Sequence, residues 1–305
     1  MPYFDVYVVG CGGIGGYVLD SLPQVMACLQ LDKLNDEETQ HEVLEAEGLS
    51  DQLDDTSAKF SKLVLIDGDT FSGHNALRQA GTNGSKLAVQ MHKIREKDAF
   101  TTWLHTTKLV GYNTYINPDN IGQIMQASGG YPVIFLCVDN HKTRYEVTRW
   151  VEDNLPTALI INGGNQKTTG NVTIYQKKWS DAFDPPIYKI YPEVNDKTDR
   201  RPDEIHCDEV HIGNDQTALI NEMIATVMLN MFRKYVMANG HPSAFNQKLR
   251  QKGKNGETLY QRKNEVLIDL ENNTMMSLSH AADTDNRRVP VAEVANELPE
   301  NAEIN

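Results

Sequence analysis

FDVYVVGCGGIGGYVLDSL, residues 4–22, is the stretch from which the fold can be read. Residues 4–9 form a short β-rich run. Five glycines fall between positions 10 and 16, and YVLDSL then resumes with helix-compatible spacing. The order is strand, tight turn, helix. Glycine lets a backbone turn sharply and approach an anion without a Cβ in the way, and a helix start offers free N–H groups. Gly10, Gly12, Gly13 and Gly15, in the pattern G-x-G-G-x-G, are therefore a candidate phosphate-binding turn. The competing reading is a tight turn with no ligand. A glycine string alone is weak, and the flanking strand and helix give it weight. The helix is expected to end or kink at Pro23, although MACLQL continues apolar beyond it.

Further along, KLVLID (62–67) reads as a second strand, 84–98 as a helix and 107–115 as a strand. Residues 118–128 read as a helix, PVIFLCVDN (132–140) as a strongly apolar strand, 142–155 as a helix and TALIINGG (157–164) as a strand and turn. Alternation at these lengths predicts an α/β, Rossmann-like, mostly parallel sheet with helices on both faces. NVTIYQKK (171–178) alternates and is expected to begin an antiparallel edge, within a C-terminal antiparallel and helical extension. Residues 180–204 read as a long loop, and long loops in compact domains are often functional. Residues 216–237 make an apolar helix, either central or part of an interface, and 257–270 hold a short strand. The expected organisation is a nucleotide-binding core over 1–175, completion of the domain over 176–278, and a weakly ordered polar tail over 279–305.

Residues 27–58 carry ten acidic residues and one lysine. They read as an acidic insertion, either a solvated decoration or a partner-binding surface. Over all 305 residues, 42 acidic side chains face 29 Lys plus Arg, giving a formal net charge of −13. That balance disfavours nucleic acid and anionic membranes as partners. No leader-like segment or long apolar run appears, so the expected setting is cytoplasmic. The four cysteines, Cys11, Cys28, Cys137 and Cys207, form no CxxC pair. Their spacing fits a reduced protein, with Cys11 and Cys137 buried in strand-like contexts.

Three further groups carry candidate chemistry. Asp67 and Asp69 end the second strand, where a carboxylate can accept ribose hydroxyls. Asp69 is assigned to the ribose and Asp67 to orienting the loop, with backbone capping as the alternative. Asn75, Arg78, Gln79 and Lys86 follow. Arg78 and Lys86 supply positive charge suited to a triphosphate, and ordinary surface ion pairs are the competing reading. Asp139 and Asn140 follow the apolar strand, where open α/β sheets place ligands. Asp139 is a candidate Mg²⁺ ligand, a helix N-cap is the alternative, and Arg144 is positioned to pair with Asp139.

GCGGIGG (10–16), LIDGDTFSGHNALRQ (65–79), GSK (84–86) and FLCVDNHKTRY (135–145) occur in order. In these four motifs the chain resembles the ThiF and MoeB proteins and the adenylation domains of ubiquitin-activating enzymes. It also resembles the ThiF-family branch found in plasmid- or phage-type gene clusters. The likeness spans residues 4 to about 175. It implies binding of ATP and Mg²⁺, and adenylation of the C-terminal glycine carboxylate of a small ubiquitin-like or sulfur-carrier protein. It implies that Gly10 to Gly15 shape the nucleotide site, with Asp69 on the ribose. Asn75, Arg78 and Lys86 would contact the triphosphate, and Asp139 the metal. It further implies a homodimer.

The family's paired CxxC zinc ligands have no counterpart here, and its N-terminal arginine helix is expected to be absent or replaced from elsewhere. Cys207, flanked by His206 and His211, falls near the family's transfer cysteine. It reads either as a thiol for thioester or persulfide transfer, as the resemblance implies, or as a loop cysteine without chemistry. Two other functions stand beside adenylation. An NAD-dependent oxidoreductase would use the glycine turn and the ribose carboxylate but leave Arg78, Lys86 and Asp139 without a purpose. A non-catalytic nucleotide-binding scaffold would bind without modifying.

Overall fold

The computed structural model describes residues 3–46, 58–71, 84–126, 130–196, 198–204, 217–252 and 258–281. Strand β1 (Tyr3–Val9) leads through the glycine turn into α1 (Gly13–Ala46), and β2 (Lys59–Ile66) follows. Two short strands, β3 (Thr70–Phe71) and β4 (Gly84–Ser85), pair with each other ahead of α2 (Lys86–Arg95). Then come β5 (Lys108–Tyr112), a one-turn α3 (Ile121–Ile124), β6 (Tyr131–Leu136), α4 (His141–Asn154) and β7 (Ala158–Asn165). The chain reverses into β8 (Thr169–Lys178) and β9 (Asp181–Ala182), passes α5 (Ile187–Ile190), and enters α6 (Ala218–Met237). It finishes with β10 (Asn246–Lys252), β11 (Thr258–Arg262), β12 (Glu265–Asp269) and β13 (Thr274–Leu278).

The main sheet runs β13-β12-β8-β7-β6-β1-β2-β5, with β9 beside β8. From β5 to β7 every pairing is parallel, and from β7 to β13 every pairing is antiparallel. Side chains alternate across the sheet, so each parallel strand feeds two cores and reads as a continuous apolar run. Val6, Val8, Val133, Phe135, Leu159 and Ile161 pack under α1 and α6. Tyr7, Val9, Ile134, Leu136 and Ile160 face the opposite side, with Val147 and Val151 of α4. This is the expected α/β architecture, with the antiparallel extension at its carboxyl end.

Several local expectations are corrected. Helix α1 does not end at Pro23; it continues to Ala46 with Pro23 inside. An interior proline costs about 3 kcal/mol. Val18, Leu19, Leu22, Met26 and Leu29 of the same helix are buried, and each such side chain contributes about 1.5–3 kcal/mol, which outweighs that cost. The helical segment expected over 118–128 is a single turn. Strand β8 is not an edge: β7 flanks it on one side and β12 on the other, with Val172 opposite Val266. Helix α6 is central. Ile220, Ile224, Met228, Phe232, Tyr235 and Val236 are buried in the core, which accounts for its apolar character. The acidic stretch is helical as far as Ala46, and 47–57 lie outside the described residues, as does the tail from 282. Among the described residues no helix is long and apolar enough to cross a membrane.

Candidate functional site

The carboxyl ends of three neighbouring strands, β6, β1 and β2, converge on one mouth. At the end of β1 the chain turns at Gly10 with φ +87, a value that favours glycine. The Gly10 N–H donates to the Ile66 carbonyl at 2.9 Å, tying the turn to the end of β2. A Cβ on Gly15 would lie 1.8 Å from the Gly10 carbonyl oxygen, so the first helical turn rests directly on the strand end. Gly13 begins α1, and the Gly16 N–H donates back to the Gly12 carbonyl at 2.7 Å. The N–H groups at the very start of the helix have no intrahelical acceptor and are available to an anion.

Asp67 organises this turn from β2. Its Oδ2 accepts the Cys11 N–H at 2.6 Å and its Oδ1 accepts the Asp69 N–H at 2.7 Å. Burial pushes its carboxyl upward, against the pull of those two N–H groups and of Lys86. Asp67 thus caps two backbone N–H groups of the turn, which fits both the loop-orienting assignment and the backbone-capping alternative. Asp69 is nearly half exposed, and its Oδ2 is 2.5 Å from Lys86 Nζ. Lys86 is the first residue of α2, capped by Ser85, whose hydroxyl accepts the Ala88 N–H at 3.3 Å. The pair puts a carboxylate and an ammonium together beside the glycine turn.

On the β6 side, Cys137 N–H donates to the Val9 carbonyl at 2.8 Å, and Asp139 lies exposed just beyond. Its carboxylate accepts no hydrogen bond from a described residue. Asn140 is the N-cap of α4, its Oδ1 accepting the Thr143 N–H at 2.8 Å. Arg144 does not form the direct ion pair expected with Asp139. Its guanidinium donates to the Val138 carbonyl at 2.6 and 3.2 Å and to the Gly163 carbonyl at 3.0 Å, bracing the ends of β6 and β7. Burial lowers the Arg144 pKa, with Asp139 opposing the shift. Burial also raises both strand-end thiols, Cys137 to about 12 and Cys11 well above the ordinary range.

Two contributors have no mark in the sequence. Tyr115, beyond β5, lies against Gly68, where an added Cβ would sit 2.9 Å from the Tyr115 ring. Burial raises its hydroxyl to about 12, followed by the charges of Asp69, Asp67, Asp203 and Asp139. Those carboxylates come from three segments that all lie near Tyr115. Asp199, from the loop that crosses to α6, accepts the N–H groups of His141 and Lys142 at 2.6 and 3.2 Å. The same strap is held to α4 by Arg201–Glu146 at 2.8 Å and Lys142–Glu204 at 2.5 Å. Their signal is spatial: a tyrosine after a strand and an aspartate in a charged loop are ordinary until the topology brings them together. Asn75, Arg78, Gln79, His206, Cys207 and His211 lie outside the described residues.

The ThiF family model matches residues 56–266. No match was found among curated protein sequences. Among solved structures, E. coli MccB with ATP is similar at 13% identity and a TM-score of 0.53, covering 91% of this chain. The chain spans 64% of the length of that protein. E. coli MccB with AMPCPP and MccA has a TM-score of 0.52 at 14% identity, covering 91% of this chain and 64% of that one. PaaA has a TM-score of 0.51 at 13% identity, covering 90% of this chain and 72% of that one.

Proposed function

We propose that this chain, which belongs to the ThiF family, is an ATP- and Mg²⁺-dependent adenylating enzyme acting on the C-terminal carboxylate of a small protein or peptide. The observation that carries the reading is the meeting of the glycine turn, the Asp69–Lys86 pair and Asp139 at the ends of three adjacent strands. The likeness to MccB, solved with ATP and with AMPCPP plus MccA, supports a nucleotide site and a macromolecular partner. The specific substrate proposed is the terminal glycine of a ubiquitin-like or sulfur-carrier protein.

In this reading the free N–H groups at the start of α1 receive phosphate oxygens, and Asp69 takes the ribose. Lys86, with Arg78 and Asn75, balances the charge that develops on the phosphates. A carboxylate oxygen of the substrate attacks the α-phosphorus, the bond to the β-phosphate oxygen breaks, and pyrophosphate leaves. The product is an acyl-adenylate. Asp139 suits Mg²⁺ because its carboxylate is exposed at a strand end and offers hard oxygen ligands; among the described residues no group of three or more ligating side chains is assembled in advance. The metal would neutralise phosphate charge there. Adenylation itself needs no thiol. Cys207 is proposed as the later acyl acceptor, and a Cys207→Ala protein that still forms every covalent intermediate removes it from the mechanism. A homodimer is proposed on the family resemblance, to be checked by light scattering.

The decisive experiment is ATP–pyrophosphate exchange, with mass measurement of the adenylated product, using short glycine-ended proteins encoded beside this gene. Exchange that depends on the carrier supports the reading. Tight NAD binding without ATP binding would overturn it in favour of an oxidoreductase.

A further inference from the structure

Gln90 is 1% exposed, yet neither atom of its carboxamide has a hydrogen-bond partner. It lies on the buried face of α2 with Lys86, Leu87 and Ile94, one helical turn after Lys86. Its Nε2 faces the first turn of α1: a Cβ on Gly16 would lie only 3.2 Å from it. Lys86 and Gln90 are four residues apart on α2. Residues so spaced share a helix face. Two long polar side chains, Lys86 and Gln90, therefore share the face of α2 that Gly16 of α1 meets. The first side chain, Lys86, is committed to Asp69. The second is committed to nothing.

A buried amide without partners is costly, and folded proteins rarely keep one without a reason. Here it stands beside a helix start whose own N–H groups await an anion. Because Gly16 carries no side chain, Nε2 packs directly against the backbone of that turn. We propose that Gln90 is a phosphate-contacting residue of the nucleotide site, its Nε2 donating to a phosphate oxygen seated on the first turn of α1. This rests on the ATP-binding reading above and names a ligand contact that the glycine turn and Lys86 do not supply. A hydrogen bond to a charged oxygen is stronger than one between neutral groups.

The test is ATP titration by calorimetry of the full chain, as wild type, Gln90→Met, Gln90→Glu and Lys86→Met, with thermal unfolding of each free protein. Methionine matches the shape of glutamine and removes the unpaired polar atoms. The expected result for Gln90→Met is a free-protein Tm at or above wild type together with roughly tenfold weaker ATP binding. Gln90→Glu should bind more weakly still, because it sets a carboxylate against the phosphates. ATP binding by Gln90→Met within twofold of wild type overturns the proposal, provided Lys86→Met weakens it. If the wild type itself does not bind ATP, the nucleotide-site reading falls first and this contact falls with it.

Discussion

The two sides of the mouth are held by different kinds of bond. On the β1–β2 side a buried carboxylate, Asp67, grips two backbone N–H groups, and Gly10 and Gly15 touch without side chains between them. On the β6–α4 side the strap of residues 198–204 is fastened by side chains that keep contact with water: Arg201 to Glu146, Lys142 to Glu204, and Asp199 over the start of α4. Backbone held by buried groups has one geometry. The half-open Lys142–Glu204 pair is screened by water and contributes little, and the more covered Arg201–Glu146 pair contributes more. On the proposed reading, the wall that would face phosphate is set before any ligand arrives, and the wall held by charged side chains is the one that would yield to a substrate tail.

Asp67→Ala should break that contrast most severely. It strands the Cys11 and Asp69 N–H groups, and about 3 kcal/mol of unfolding free energy should be lost, measurable by urea titration. A loss below about 0.5 kcal/mol would mean that the turn does not depend on this carboxylate. Lys86→Met should leave stability nearly intact but lower ATP–pyrophosphate exchange roughly a hundredfold. Exchange at the wild-type rate would remove the lysine from the phosphate site.

The strap should respond more gently. Asp199→Ala removes an acceptor from two N–H groups at the start of α4 and should cost about 1 kcal/mol. It should also hasten amide exchange at His141 and Lys142 while leaving Cys11 unchanged. The Lys142 ammonium holds the Glu204 carboxyl below the usual glutamate range. With a lowered folded pKa, its contribution is present above the unfolded value of about 4.3 and is lost as pH falls through the folded one. Strap exchange should therefore speed up in acid, and also in 1 M salt, where the Debye length is about 3 Å. Equal acceleration at Cys11 would erase the distinction between the walls. The smallest effect concerns thiols. At pH 8, Cys28, which is exposed, should alkylate in the folded protein, and Cys11 and Cys137 only after unfolding.

Where pattern is local, the sequence is readable. Strand β1, the glycine turn and α1 are written contiguously, and Asp67, Asp69 and Asp139 fall at strand ends that their own apolar runs disclose. What escapes is set by distant partners. Pro23 sits inside a helix because burial outweighs local preference. Strand β8 looks like an edge because β12, its second neighbour, lies some ninety residues away in the chain. Arg144 chooses carbonyls over the nearby Asp139 because β7 brings Gly163 within reach. Tyr115 becomes part of the mouth only when β5 docks beside β2. The segments carrying Asn75, Arg78, Gln79 and Cys207 stand as sequence readings alone.

The pairing of β8 with β12 also bears on how the chain is made. Val172 cannot meet Val266 until the segment carrying β12 has left the ribosome. Until then one flank of the sheet presents unpaired backbone groups, an invitation to stray chains. Contacts so far apart in sequence form slowly. Shortening the protein from its carboxyl end past residue 265 should therefore yield aggregates rather than a smaller soluble core.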